Sequence, residues 1–404
     1  MKNKKVLAVL VAVSMAASLS ACGGGSGDSA ASSANTEEAT TQAEAEDTTS
    51  DASTEGESEA TTGAIAQFAD GWGDTNSPFD PLAITETWTF EEMRNNLGAI
   101  PASDASFSIA GNIRTEDNVY WTALRDGYKD MIAFENANGL SGVTIDVQSA
   151  LNEADTEGQL AVMKDQIRSG ANVIMISPIS TSNCTEGVEV AHEDGIPTIA
   201  VNNEFNGADM FVGPNSYAEG EQAAEWANDN VGSGKAAIIM GLAGTDVVKN
   251  RTNGFVEKLA ALNSEIEVVD QQNADWDRDK AKDVCATFLK TYDDLKIIFC
   301  NNDVMALGAV EAIKEANLKL NEDIYVIGAD GTDEAYESIH NNELSATISM
   351  FPYYEGMMAS EVTTRVMLGQ TMPKVVWTPS MAVDAKNIDT DDAELIGWTD
   401  PTIE

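Results

Sequence analysis

The chain has 404 residues, 67 acidic and 23 basic, for a formal net charge of −44. A surface this negative excludes nucleic acid as a partner and excludes docking on anionic lipid through a basic patch. Only two histidines occur, His192 and His340, so a histidine-based catalytic centre is not expected.

Lys2, Lys4 and Lys5 open the chain, an apolar run covers 6–17, and Leu19-Ser20-Ala21-Cys22 follows. The run is too short for a permanent membrane span and ends in a cleavage pattern. Residues 1–21 therefore read as a lipoprotein signal peptide, with Cys22 as the lipidated first residue of a mature chain outside the cytoplasm. An ordinary signal peptide with an incidental cysteine is the alternative. Residues 28–62 hold ten acidic residues and no lysine or arginine. Such a stretch buries too little apolar surface to offset its ordering entropy, so 22–62 reads as a disordered acidic tether. Setting aside the three signal lysines and ten tether acids still leaves the folded part at −37.

Residues 63–103 form an N-terminal extension. Its aromatic residues Trp72, Phe79, Trp88 and Phe90 argue for packing on the outside of a lobe, and Thr89-Phe90-Glu91-Glu92 predicts a capping box opening a short helix to Leu97. From Ser106 onward short apolar strands alternate with amphipathic helices. Strands are expected at 107–111, 143–147, 173–176 and 197–201, with helices at 120–138, 157–169 and 186–194. After Gly213 the rhythm restarts, with strands at 236–240, 266–269, 297–300 and 324–327. Helices at 217–230, 247–262, 279–292 and 304–316 separate them. This alternation predicts parallel sheets with right-handed crossovers, and so many strands suit two doubly wound α/β lobes better than one sheet.

Cys184, Cys285 and Cys300 remain after Cys22, without metal-ligand spacing. Buried free thiols are expected, a Cys285–Cys300 disulfide being the alternative. Asn273, Asp275, Asp277 and Asp279 alternate as in a calcium loop. Arg278, however, stands where the turn glycine belongs and no glutamate closes the motif, so no metal is expected.

In open parallel sheets, ligands sit at the carboxyl ends of strands. The loops there carry Asn112, Arg114, Asp117, Asn118, Tyr120 and Trp121, then Asn202, Asn203 and Glu204, and later Arg251. Asp275, Trp276 and Asp277 follow, then Asn301, Asn302 and Asp303, Asp330 and Thr332, and finally Met350 and Phe351. Amides and carboxylates match the paired donors and acceptors of vicinal hydroxyls, and aromatic faces cover the C–H faces of a sugar ring. Any one of these residues is also a natural helix N-cap. Six polar turns with aromatics among them favour a site.

The pieces Ala243-Gly244-Thr245 with Arg251, Ala274-Asp275-Trp276-Asp277-Arg278, Asn301-Asn302-Asp303 with Met305-Ala306-Leu307-Gly308-Ala309, and Gly328-Ala329-Asp330-Gly331-Thr332 occur in order. In this the chain resembles the sugar-binding periplasmic proteins of the ribose, galactose and xylose type, whose fold is shared with the lactose-repressor sensor domain. The resemblance covers roughly 106–384. It implies two lobes joined by a three-strand hinge, with 104–213 plus 350–378 in the first lobe and 214–349 plus 379–404 in the second. It implies ligand contacts by Asn118, Tyr120, Trp121, Asn202, Asn203, Arg251, Trp276, Asn302 and Asp330, with Met350 where such proteins often have glutamine. Asn202-Asn203 replaces the usual Asp-Arg, which implies a different sugar. Arg114 either restores the lost charge at the ligand or pairs with Glu116 or Asp117.

The expected function is capture of a monosaccharide, pentose or hexose, and its delivery to the membrane permease of an ABC importer. The protein would be a lipid-anchored monomer without cofactor or catalytic residues. The alternatives are a sensor presenting a sugar or furanosyl signal to a membrane receptor, and a hydrolase using a carboxylate pair such as Asp275 and Asp330. No activated nucleophile pattern supports the latter.

Overall fold

The computed structural model describes residues 74–404; the expected signal peptide, Cys22, the expected tether and the start of the N-terminal extension with Trp72 lie outside the described residues. Among the described residues thirteen strands occur in chain order: β1 (Thr87–Thr89), β2 (Ser103–Ile113), β3 (Leu140–Ser149), β4 (Val173–Ile176), β5 (Thr198–Val201), β6 (Met210–Gly213), β7 (Ser233–Met240), β8 (Glu265–Asn273), β9 (Leu295–Cys300), β10 (Tyr325–Asp330), β11 (Ala346–Ser349), β12 (Val375–Trp377) and β13 (Met381–Asp384). They form two sheets. The first, in lobe 1, is ordered β1-β12-β6-β5-β4-β2-β3 and is wholly parallel. The second, in lobe 2, is ordered β13-β11-β10-β9-β7-β8, with only the edge strand β13 antiparallel. All four residues of β4 are buried, as in a parallel strand covered by helices on both faces.

The helices are α1 (Phe90–Leu97), α2 (Val119–Asn138), α3 (Thr156–Arg168), α4 (Thr185–Glu193), α5 (Ser216–Asn230), α6 (Asp246–Ala261), α7 (Arg278–Thr291), α8 (Asp303–Glu315), α9 (Asp333–His340), α10 (Pro352–Met367) and the short α11 (Asp392–Leu395). The capping box at α1 is formed: Thr89 Oγ1 accepts from the Glu92 N–H at 3.1 Å, and Glu92 accepts from the Thr89 N–H at 2.8 Å. The thiols of Cys184, Cys285 and Cys300 are free and buried, so the disulfide alternative is not realised.

The chain passes between the two sheets after β6, after β11 and after β12. A fourth passage follows α11. Residues 396–404 do not stay with lobe 2 but return to lobe 1, where Ile403 bridges Ile100 and the Glu404 N–H donates to the Ile100 carbonyl at 3.0 Å. The cause is apolar surface near the end of the chain. Trp398 stacks on Phe90 of α1 at 6.0 Å and meets Tyr354 of α10 at a tilt, 5.4 Å away, and Arg94 lies over both the Phe90 and Trp398 rings. The N-terminal extension likewise does more than coat a lobe, since β1 is an edge strand of the first sheet.

Helices α2 and α10 pack in lobe 1 around a buried acid. Glu135 accepts from Thr364 Oγ1 at 2.7 Å, and burial pushes its pKa up to about 8. A carboxyl whose folded pKa lies above its unfolded value stabilises the fold fully at low pH and loses that contribution as pH rises toward 8. Stability should therefore fall with pH above about 4.5, by up to about 1.4 kcal/mol per unit from this group alone. Glu135→Gln is expected to raise Tm at pH 8 and to leave it little changed at pH 4.5, measured by calorimetry across that range.

Candidate functional site

The carboxyl ends of both sheets converge on one hollow. It is walled from lobe 1 by Arg114, Asn118, Tyr120, Trp121, Glu153, Asn202 and Asn203, and from lobe 2 by Val247, Arg251, Trp276, Asn302 and Asp330. The space they enclose is small, about 30 Å³. Arg114, Trp121, Arg251 and Asp330 are each at most 6 % exposed although they belong to different lobes. The lobes are therefore closed on each other.

Ten of the eleven residues expected from sequence line this hollow. Met350 does not. It lies behind the wall, its sulfur 3.0 Å from Arg251 Nη2 and 3.9 Å from the Tyr120 hydroxyl. Arg114 does not pair with Glu116, which bonds Arg125 instead. Its guanidinium donates to the Pro178 carbonyl at 2.7 Å and to Asn203 Oδ1 at 2.6 Å, and lies over the Trp121 ring at 5.0 Å. Asp277 is a helix cap and Asp275 pairs with Lys280 at 3.0 Å; neither lines the hollow. No cluster suited to a metal ion occurs among the described residues.

Local structure fixes each wall residue. Asn118 and Asn302 cap α2 and α8, so the side chains enter the hollow at helix N-termini, as strand-to-helix turns require. Three wall residues hold positive φ despite carrying side chains: Asn202 at 66°, Trp276 at 65° and Asp330 at 140°. Such conformations cost about 1–3 kcal/mol each and persist only where the surroundings impose them. At Asp330 the surroundings are identifiable. Asp303, fully buried, accepts from the Gly331 and Thr332 N–H groups at 2.9 Å and from Thr347 Oγ1 at 2.7 Å, latching the turn that presents Asp330.

Behind the wall lie two glutamates that sequence inspection missed. Glu219 of α5 is fully buried and pairs with Arg251 Nε. The pair forms because Gly220 lets α5 sit directly against the Arg251 carbonyl, where any Cβ would collide. Glu355 of α10 accepts from the Tyr120 hydroxyl and, at 3.1 Å, from Asn202 Nδ2. Glu153 on the wall was also missed. It accepts from Asn118 Nδ2 and from the Trp121 indole, both at 2.8 Å. The signal for Glu153 was present, since it follows β3 just as the other site residues follow their strands.

Burial dominates the electrostatics. It pushes Asp330 well above the usual carboxylate range; Asp303 adds to the shift and Arg251, 3.9 Å away, opposes it. Burial likewise raises Glu355 to about 8 against the hydrogen bonds from Tyr120 and Asn202. Burial disfavours the charge on Arg251, but Glu219 and Asp330 outweigh it and its pKa lies above the ordinary value. Burial lowers that of Arg114.

A family model described as periplasmic binding protein domain matches residues 112–371. The chain belongs to that family. Periplasmic binding proteins are solute-binding components without catalytic activity, and the family implies an extracytoplasmic location. No helix among the described residues is long and apolar enough to cross a membrane. This periplasmic binding protein is 30 % identical over 276 residues to the ribose import binding protein of Bacillus subtilis, covering 68 % of this chain and 86 % of the relative. In structure it is similar to a periplasmic solute-binding protein of an ABC transporter from Actinobacillus succinogenes with bound D-allose. The TM-score is 0.65 at 24 % identity, covering 71 % of this chain and all of that one. It is also similar to the fructose-binding periplasmic domain of a hybrid two-component system, with a TM-score of 0.63 at 22 % identity, covering 70 % of this chain and 92 % of that one.

Proposed function

We infer that this protein captures a monosaccharide between its lobes and delivers it to the permease of an ABC importer, held at the membrane by lipid on Cys22 and acting as a monomer. The supporting observation is the single hollow walled by both lobes, with two indole rings, a phenol, amides, two guanidiniums and two carboxylates. Rings cover the apolar faces of a sugar while the polar groups pair its hydroxyls. The ligand-binding residues in this reading are Asn118, Tyr120, Trp121, Asn202, Asn203, Arg251, Trp276, Asn302, Asp330 and Arg114, with Glu153 added and Met350 in support. The sugar class also fits the relative named for ribose import and a structural neighbour with bound D-allose.

A ligand touching both lobes has differential affinity for the closed form and shifts the hinge equilibrium toward it. The closed form is then what the permease reads. Micromolar affinity corresponds to about −8 kcal/mol, within reach of such a site after ordering costs. A panel of pentoses and hexoses should produce a thermal shift with at least one member. A ligand at 100 times its Kd adds about 2.7 kcal/mol to stability. No shift with any member of the panel would refute the sugar reading.

The sensor reading has support of its own, because one structural neighbour is a sensory domain. Sugar uptake by cells lacking this protein separates the two. Abolished uptake supports delivery to an importer, and intact uptake with lost gene induction supports sensing.

A further inference from the structure

Three side chains of lobe 1 close a hydrogen-bonded triangle at the hollow, and only two of them line it. Tyr120 and Asn202 belong to the wall, whereas Glu355 stands behind them, fully buried in the first turn of α10. Asn202 donates from Nδ2 to the Tyr120 hydroxyl at 2.7 Å and to Glu355 Oε1 at 3.1 Å. The Tyr120 hydroxyl in turn donates to Glu355. A primary amide has two N–H donors and one carbonyl acceptor. Both Asn202 hydrogens are spent on the layer behind the wall, so the end of the amide left for the hollow is Oδ1.

This orientation depends neither on closure nor on charge. All three residues belong to lobe 1, so the triangle is complete before lobe 2 arrives. Burial raises Glu355 to about 8, and with or without its proton the carboxyl keeps an oxygen that can accept from Asn202. The Asn202 backbone is fixed as well. It lies at φ 66°, its N–H donates to the Val212 carbonyl at 3.0 Å, and a Cβ on Gly213 would meet its Cα at 2.9 Å. With an apolar side chain at 355, one amide hydrogen would be buried without an acceptor. The amide would then turn over, accept from the Tyr120 hydroxyl and show the hollow its N–H groups.

We propose that Glu355 is a positioning residue that sets specificity, holding the Asn202 carbonyl oxygen toward the hollow so that Asn202 reads a hydroxyl hydrogen of the ligand. The proposal rests on the sugar-binding reading and deepens it. A ligand atom that offers no hydrogen there, such as an ether oxygen or fluorine, meets the carbonyl lone pair to lone pair and is refused. The amide is oriented before binding, so little side-chain freedom is lost when the ligand arrives.

Calorimetric titration of the full chain at pH 7 tests this with D-ribose, D-xylose, D-galactose and D-allose, each beside its monodeoxy and monodeoxyfluoro analogues. Fluorine restores an acceptor without a hydrogen. The position read by Asn202 is the one whose discrimination collapses in N202A. There the deoxy and deoxyfluoro analogues should both bind about 100-fold or more weakly than the parent sugar. E355Q, whose side-chain oxygen still accepts from Asn202, should keep that ratio within about threefold. E355M should cut it to about tenfold or less at that position alone, whereas a merely structural role for Glu355 would weaken all ligands alike. The apo Tm of each variant controls for folding. A fluoro analogue that binds nearly as well as its parent would overturn the proposal, as would a ratio that survives E355M. Either result leaves the sugar-binding reading standing, whereas failure of every sugar to bind removes both.

Discussion

Asp330→Ala should weaken sugar binding about 10³-fold, or abolish it within the range of calorimetric titration, while the apo protein stays folded. The carboxylate faces the hollow, and it is the acceptor that lobe 2 contributes beside Arg251. A bound hydroxyl deprived of it would be left buried without a partner, and a site built to hydrogen-bond a hydroxyl discriminates by about 10³-fold or more on that ground. The apo fold should not suffer. Burial already holds the Asp330 carboxyl far above its ordinary range, so its removal relieves a cost. Alanine also keeps a Cβ at φ 140°, so the latch built by Asp303 is not asked to hold a new conformation. An apo Tm equal to or above that of the parent, with binding lost, is the expected pair of results. Retained affinity would remove Asp330 from the site.

Gly241→Ala is the second large effect, at a residue that touches no ligand. A Cβ there would fall well inside contact distance of three atoms of the Trp276 ring. Gly241 follows β7 at the floor against which the indole lies, and Trp276 is already held at φ 65°. The ring must tilt or rise, taking its face off the bound sugar. Losing a well-placed aromatic contact is worth 2 kcal/mol or more at a binding hot spot, so Kd should rise about 30-fold. Trp276→Ala should weaken binding to a similar degree, and the double variant should be no worse than Trp276→Ala alone. Additive losses in that double-mutant cycle would show that Gly241 acts by another route.

The architecture was readable because long, strongly periodic elements dominate it. The helices over 120–138 and 247–262 and the apolar strand over 173–176 fall within a few residues of α2, α6 and β4. The elements that escaped are short or unusual in composition. Strands β1, β6, β11, β12 and β13 have three or four residues each, too few to display a period. Helix α10 escaped because it is buried on nearly every side, so its sequence lacks the polar face that marks an amphipathic helix.

At the hollow, strand-end position and motif order brought together residues from Arg114 to Asp330. What they did not bring were Glu219 and Glu355, whose importance depends on which helix lies behind which wall. Positive φ at Asn202 is a mild exception for asparagine, but at Trp276 no residue preference announces it. That conformation is imposed by tertiary structure and is invisible along the chain. The C-terminal return to lobe 1 escaped for the same reason, since Trp398 finds its partners Phe90 and Arg94 some 300 positions away.

This return has a mechanical consequence. At one end of the described chain Thr75 bonds Glu189, and at the other Glu404 is stitched to Ile100, so both ends are fastened to the same half of the molecule. Among the described residues the other half is suspended between four passages. Force applied between the two ends would load lobe 1 directly and leave lobe 2 shielded. In a pulling experiment the half that swings should be the last to unravel.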